Sequence, residues 1–141
     1  MKKEVVITII AYLFIILFIY TSVSKIAGFD TYLHDLRRSP LLHSFAVFIS
    51  IAIPASELIV AALLATPKTR EQGLFGAFTL MILFTLYVGY VLTFRTERPC
   101  TCGGIIRELS WPNHMIFNLL FLLLSIVGIL IQRRKFKNNY A

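Results

Sequence analysis

Four apolar runs, each about as long as a bilayer is thick, leave this chain few folds to choose from. They cover about residues 5–24, 44–66, 73–94 and 113–132, separated by charged and turn-forming residues. Each approaches the ~20 residues a helix needs to cross ~30 Å of hydrocarbon. No water is available there to satisfy backbone amides and carbonyls, so runs of this length span as helices. Composition agrees, since 57% of the 141 residues are hydrophobic, against roughly half or less in soluble domains. The expected fold is all-α: a four-helix transmembrane bundle, forming a single domain over residues 1–141.

The first run follows Lys2 and Lys3 as a secretory signal would, but a cleavable signal has an apolar core of only about 7 to 15 residues and small residues at its exit. This run is longer and leaves through YTSVSKIAGF, which has no such exit. It is expected to stay as the first spanning helix.

Basic residues set the expected orientation. Lys2, Lys3, Lys68, Arg70, Arg133, Arg134, Lys135 and Lys137 fall on one side; Lys25, Arg37, Arg38, Arg95, Arg98 and Arg107 fall on the other. The richer side is expected in the cytoplasm, giving an N-in/C-in topology with the two longer loops facing outward. The net charge of +7 is explained by juxtamembrane residues meeting anionic lipid. No nucleic-acid partner is needed.

Both cysteines of the chain, Cys100 and Cys102, lie in the second outward loop, within RPCTCGGIIRELSWPNH. In an oxidising compartment neighbouring thiols tend to pair. A disulfide across one intervening residue closes a very small ring, departs from relaxed geometry and is easily reduced, so the pair suits exchange better than bracing. Gly103 and Gly104 free the backbone to turn and admit another chain. Ser110 is a reasonable N-cap for the fourth helix, with Pro112 tolerated in its first turn. The positive end of that helix favours a nearby thiolate.

Trp111, His114 and Asn118 share one helix face by spacing, and a histidine there can stabilise a thiolate or pass a proton. The plainer alternatives are an interfacial anchor for Trp111 and interhelical hydrogen bonds for His114 and Asn118. A third reading takes Cys100, Cys102 and His114 as zinc or copper ligands, but a closed site needs His34, His43 or a carboxylate from elsewhere.

A second anomaly sits in IAIPASELIVAALL, where Pro54 is expected to kink the second helix and Glu57 lies near mid-membrane. An ionisable side chain at that depth costs at least ~2.5 kcal/mol and faces the bundle interior by default. Thr85 and Tyr87 are the partners expected at similar depth; Lys25, at the outer end of the first helix, has further to reach. Glu57 is either protonated interhelical glue or part of a proton relay or quinone site. Tyr87 and Tyr90 are expected as interfacial aromatics, and Gly73 and Gly76 as points of close helix approach. Phe29, Leu33 and Leu36 have the spacing of a short interfacial helix before Pro40.

SKIAGF after the first helix, P-x-x-E in the second, FTLYVGYVL in the third and CTCGGIIRELSWPNHMIFN leading into the fourth together resemble the MauE/DoxX-like family of small redox-associated membrane proteins. The resemblance covers nearly the whole chain. It implies a bacterial inner-membrane protein with the Cys-x-Cys loop in the periplasm. Lys25, Glu57, Cys100, Cys102, His114 and Asn118 are the positions it carries over, with Trp111, Gly103 and Gly104 in support. The function it implies is thiol-disulfide exchange with an extracytoplasmic thiol protein, Cys100, Cys102 and His114 taking the catalytic roles. A quinone is the one cofactor in view; quinone-linked thiol oxidases are also small helical bundles, but typically use two cysteine pairs where this chain has one. The alternative is a non-catalytic subunit anchoring a larger membrane complex.

Overall fold

The computed structural model describes residues 2–94 and 110–140. Its helices are α1 (Lys2–Ala27), α2 (Phe29–Arg38), α3 (Ala46–Ala65), α4 (Arg70–Phe94) and α5 (Trp111–Tyr140), with a 3-10 turn at His43–Phe45 leading into α3. Among the described residues every regular element is helical. Four helices are long and apolar enough to cross a membrane: α1, α3 with its leading turn, α4 and α5.

Two helices run further than their apolar runs. Nothing in TSVSKIA breaks a helix before Gly28, so α1 continues to Ala27 and takes Lys25 into its last turn. Nothing in QRRKFKNN stops α5 either, and it reaches Tyr140. At ~1.5 Å per residue its 30 residues outlast the hydrocarbon, carrying the basic tail beyond it.

α1 packs chiefly along α3, and α4 along α5. The main core joins Ile10, Phe14 and Phe18 of α1, Val60 and Leu64 of α3, Leu74, Ala77 and Met81 of α4, and Ile129 of α5. Large side chains such as Ile16, Phe48, Leu86 and Leu123 stay exposed on the outside, as expected where the surrounding solvent is lipid.

Close approach of α3 and α4 depends on two glycines. A Cβ on Gly73 would lie 2.8 Å from the Leu64 backbone nitrogen, and one on Gly76 would lie 2.7 Å from Val60 Cγ2. The connection there is tightly tied. Thr69 donates from its hydroxyl to the Leu63 carbonyl at 2.9 Å, and Arg70 Nε donates to the Leu64 carbonyl at 3.3 Å. These bonds satisfy carbonyls that the end of α3 leaves without helical partners.

Two contacts sort the ends of the bundle. Lys135 pairs with Glu4 at 2.6 Å, and Arg70 Nη1 reaches the Thr8 hydroxyl at 3.4 Å. The start of α1, the α3–α4 connection and the late turns of α5 therefore lie together. At the opposite end lie α2, the chain into α3, and the points where it leaves α4 at Phe94 and enters α5 at Trp111. There α2 buries Tyr32 and Leu36 against Ala46, with Leu33, Leu42 and Ile49 packed around them. Its inward face is centred on Tyr32, Asp35 and Leu36. Phe29, expected on that face, stays exposed.

Candidate functional site

Glu57 lies on α3 one turn after Pro54, with no exposure to the outside. Lys25 Nζ donates to its Oε1 at 2.8 Å, and the Thr21 hydroxyl donates to the same oxygen at 3.2 Å. Lys25 is itself only 3% exposed, which follows from the length of α1. Extended to Ala27, the helix stacks Thr21 and Lys25 four residues apart on one face, so both donors turn toward α3. Next to them the Ser22 hydroxyl donates to the Pro54 carbonyl at 3.0 Å, pinning α1 to the turn of α3 where proline has removed a backbone donor. The helix runs through Pro54 without interruption.

The partners of Glu57 differ from those expected. Thr85 turns its hydroxyl back to the Met81 carbonyl of its own helix at 2.6 Å, as a threonine in an apolar setting commonly does. Tyr87 exchanges a hydrogen bond with the buried Ser39 at 3.0 Å, tying α4 to the segment after α2. Lys25 prevails because an oppositely charged partner offsets the cost of a buried carboxylate far better than a hydroxyl does.

α5 contributes His114 and Asn118, each 3% exposed. Its first full helical bond runs from the His114 amide to the Ser110 carbonyl at 2.9 Å, which puts Ser110 at the N-cap position and Pro112 in the first turn, as expected. The Trp111 and His114 rings stand 6.0 Å apart. The expected shared face is therefore real, with Trp111 at its rim and the two polar residues turned inward.

These side chains converge on a cavity of about 260 Å³ lined by all four spanning helices and by α2. Thr21, Lys25, Glu57, His114 and Asn118 supply polar groups to its wall, and Phe18, Tyr32, Phe84, Tyr87 and Phe117 supply rings. Lys25 Nζ lies 6.0 Å from the centre of the Tyr32 ring and 5.8 Å from that of Phe84, within cation–π range. Two buried polar atoms on the wall find no hydrogen-bond partner among the described residues: Glu57 Oε2, an acceptor, and Asn118 Nδ2, a donor. Leaving such atoms unpaired costs about 1–3 kcal/mol each. Both residues line the cavity, whose wall is otherwise largely apolar.

Cys100, Cys102, Gly103 and Gly104 lie outside the described residues. Their connection nevertheless starts at Phe94 and ends at Ser110, so it is anchored at the same end of the bundle as the cavity. Among the described residues no three histidines, cysteines or carboxylates come together as metal ligands; His43 instead bonds the Pro40 carbonyl at 3.1 Å. The sequence reading missed Thr21, Ser22 and Ser39. For Thr21 a signal was available: a hydroxyl one turn before a lysine, in an otherwise apolar helix.

Neither the comparison with curated proteins nor that with solved structures found a match. The family model described as methylamine utilisation protein MauE matches residues 3–131, which covers α3 and α4, nearly all of α1 and most of α5, with Lys25, Glu57, both cysteines and the His114–Asn118 face. The chain is a four-helix membrane protein and belongs to the MauE family.

Proposed function

We propose that this protein oxidises thiols of an extracytoplasmic partner by disulfide exchange at Cys100 and Cys102. The observation that carries the reading is the anchoring of the Cys-x-Cys connection at the bundle end that also holds the buried Lys25–Glu57 pair, His114 and Asn118. Orientation is part of the proposal. With Lys25 drawn into the bundle, five loop lysines and arginines remain at that end, Arg37, Arg38, Arg95, Arg98 and Arg107, against the eight named above at the other. The larger number belongs in the cytoplasm, which puts the cysteines in the periplasm of a bacterial inner membrane.

The exchange proceeds in two displacements. A partner thiolate attacks one sulfur of the Cys100–Cys102 disulfide; a new S–S bond forms as the small-ring bond breaks, and the other cysteine leaves as a thiolate. The second partner thiol, deprotonated, then attacks the mixed disulfide, releasing an oxidised partner and a reduced Cys100–Cys102 pair. In this reading His114, in the first turn of α5, takes up or returns the proton of the exchanging thiol. Reclosing the pair releases two electrons and two protons, and a quinone is the class of acceptor that takes up both and leaves as quinol.

Acid-quenched alkylation with a mass tag on intact cells tests this reading, before and after a membrane-impermeant reductant. The expected result is a mixture of oxidised and reduced Cys100–Cys102 that shifts toward reduced. A pair wholly reduced and shielded from the reagent sinks both the orientation and the exchange. A phenotype fully retained in the Cys100→Ser, Cys102→Ser double variant would instead leave the protein a non-catalytic subunit of a larger complex.

A further inference from the structure

We infer that the cavity enclosed by the four spanning helices and α2 is a binding site for the head ring of a lipid-soluble quinone or quinol, entered from the bilayer. This deepens the exchange reading and rests on it for its biological purpose, though the site itself stands on geometry independent of the cysteines.

The size of the cavity is the first argument. About 260 Å³ falls just under the ~300–1,000 Å³ of sites that enclose whole drug-sized ligands. A single substituted ring fits there, and a long lipid tail does not. The tail needs an exit, and the wall provides one: Leu83 lines the cavity while remaining 52% exposed. The cavity wall thus continues onto the lipid-facing surface of the bundle.

The lining selects the head. Five aromatic side chains on the wall favour a flat ring, which packs against them in stacked or edge-on arrangements. The two unpartnered atoms are of opposite kind. Asn118 Nδ2 needs an acceptor, which a quinone carbonyl supplies; Glu57 Oε2 needs a donor, which a quinol hydroxyl supplies. Lys25 adds hydrogens beyond the one given to Glu57, since an ammonium carries three. A free carboxylate or phosphate head fits poorly, because it would sit against Glu57 in a largely apolar chamber. An acyl chain would leave both orphan atoms unsatisfied. A neutral ring bearing oxygens that accept in one redox state and donate in the other satisfies the wall in both.

The test uses the only tryptophan of the chain, Trp111, whose ring lies 6.0 Å from that of the cavity-lining His114. A quinone bound beside His114 is expected to quench tryptophan emission. The full-length protein in lipid nanodiscs is titrated with decylubiquinone, alongside the Cys100→Ser, Cys102→Ser double variant. Saturable quenching of equal affinity is expected in both. Asn118→Leu should weaken binding about 5- to 10-fold, the worth of one buried hydrogen bond. Ile53→Phe, which narrows the cavity without touching the ion pair, should weaken it as well; helical circular dichroism and a single elution peak show that each variant has folded. Quenching that rises linearly without saturation overturns the proposal. So do equal affinities in folded Asn118→Leu, folded Ile53→Phe and the parent, or full displacement by farnesol, which brings a hydroxyl and a tail but no ring. Saturable binding that survives loss of both cysteines supports the site even where the alkylation experiment fails, so the two failures are told apart.

Discussion

Lys25 and Glu57 illustrate how a bilayer changes the value of single side chains. Both are buried, and each is tolerable because the other lies 2.8 Å away. Removing one partner strands a buried charge, a loss of about 3–5 kcal/mol in comparable pairs. We therefore expect Glu57→Leu or Lys25→Met alone to lower the thermal midpoint of the detergent-solubilised protein sharply. The double variant should recover most of the loss, because replacing both charges with apolar groups is often close to neutral. Equal instability in the double variant would mean that Thr21 and the free Oε2 of Glu57 matter more than the charge pair. Ser39 and Tyr87 form a milder link, and Tyr87→Phe should cost about 1 kcal/mol, read from the same melts.

Among the helices, α3 and α4 show the clearest contrast between two glycines. Alanine is the better helix former by about 1 kcal/mol, yet at either position the new methyl meets an atom at less than 3 Å. At Gly76 that atom belongs to the Val60 side chain, so Val60→Ala should rescue Gly76→Ala in thermal unfolding. At Gly73 it is the Leu64 backbone nitrogen, which no side-chain replacement can move. Gly73→Ala should therefore destabilise by about 1–3 kcal/mol and resist rescue by Leu64→Ala. Rescue of both, or of neither, would show that the helices separate as rigid bodies rather than yielding one side chain at a time. Gly73 and Gly76 hold α3 and α4 together at the end of the bundle opposite the cavity that both helices line.

Over the whole molecule, one end holds both described chain ends and most of the basic residues, and the other holds α2, the cavity and the anchor points of the cysteine connection. If the orientation argued from charge is right, a cysteine placed at Lys68 in a Cys100→Ser, Cys102→Ser background will resist an impermeant maleimide in intact spheroplasts and react after lysis. The native pair, once reduced, will react in both. Labelling of the Lys68 position from outside would invert the bundle and remove the exchange reading, while leaving the intramembrane cavity as it stands.

Much of this was legible in the order of the residues. The four spans follow from run length alone, because an unbroken apolar run of ~20 residues crosses a bilayer as a helix. The weight placed on Glu57, His114 and Asn118 follows from the cost of polar groups at depth. Periodicity could not say which way each spanning helix is turned, since helices apolar all round show no inward face in their pattern. That is why Thr85 and Tyr87 stood as partners of Glu57 until the fold gave one to its own backbone and the other to Ser39. The sequence by itself thus determined how many helices cross and which polar residues must be accommodated inside. Tertiary structure alone decided that Lys25 reaches Glu57 and that five rings gather beside two unpaired atoms, because pairing in a bundle depends on the rotation and depth of every helix at once.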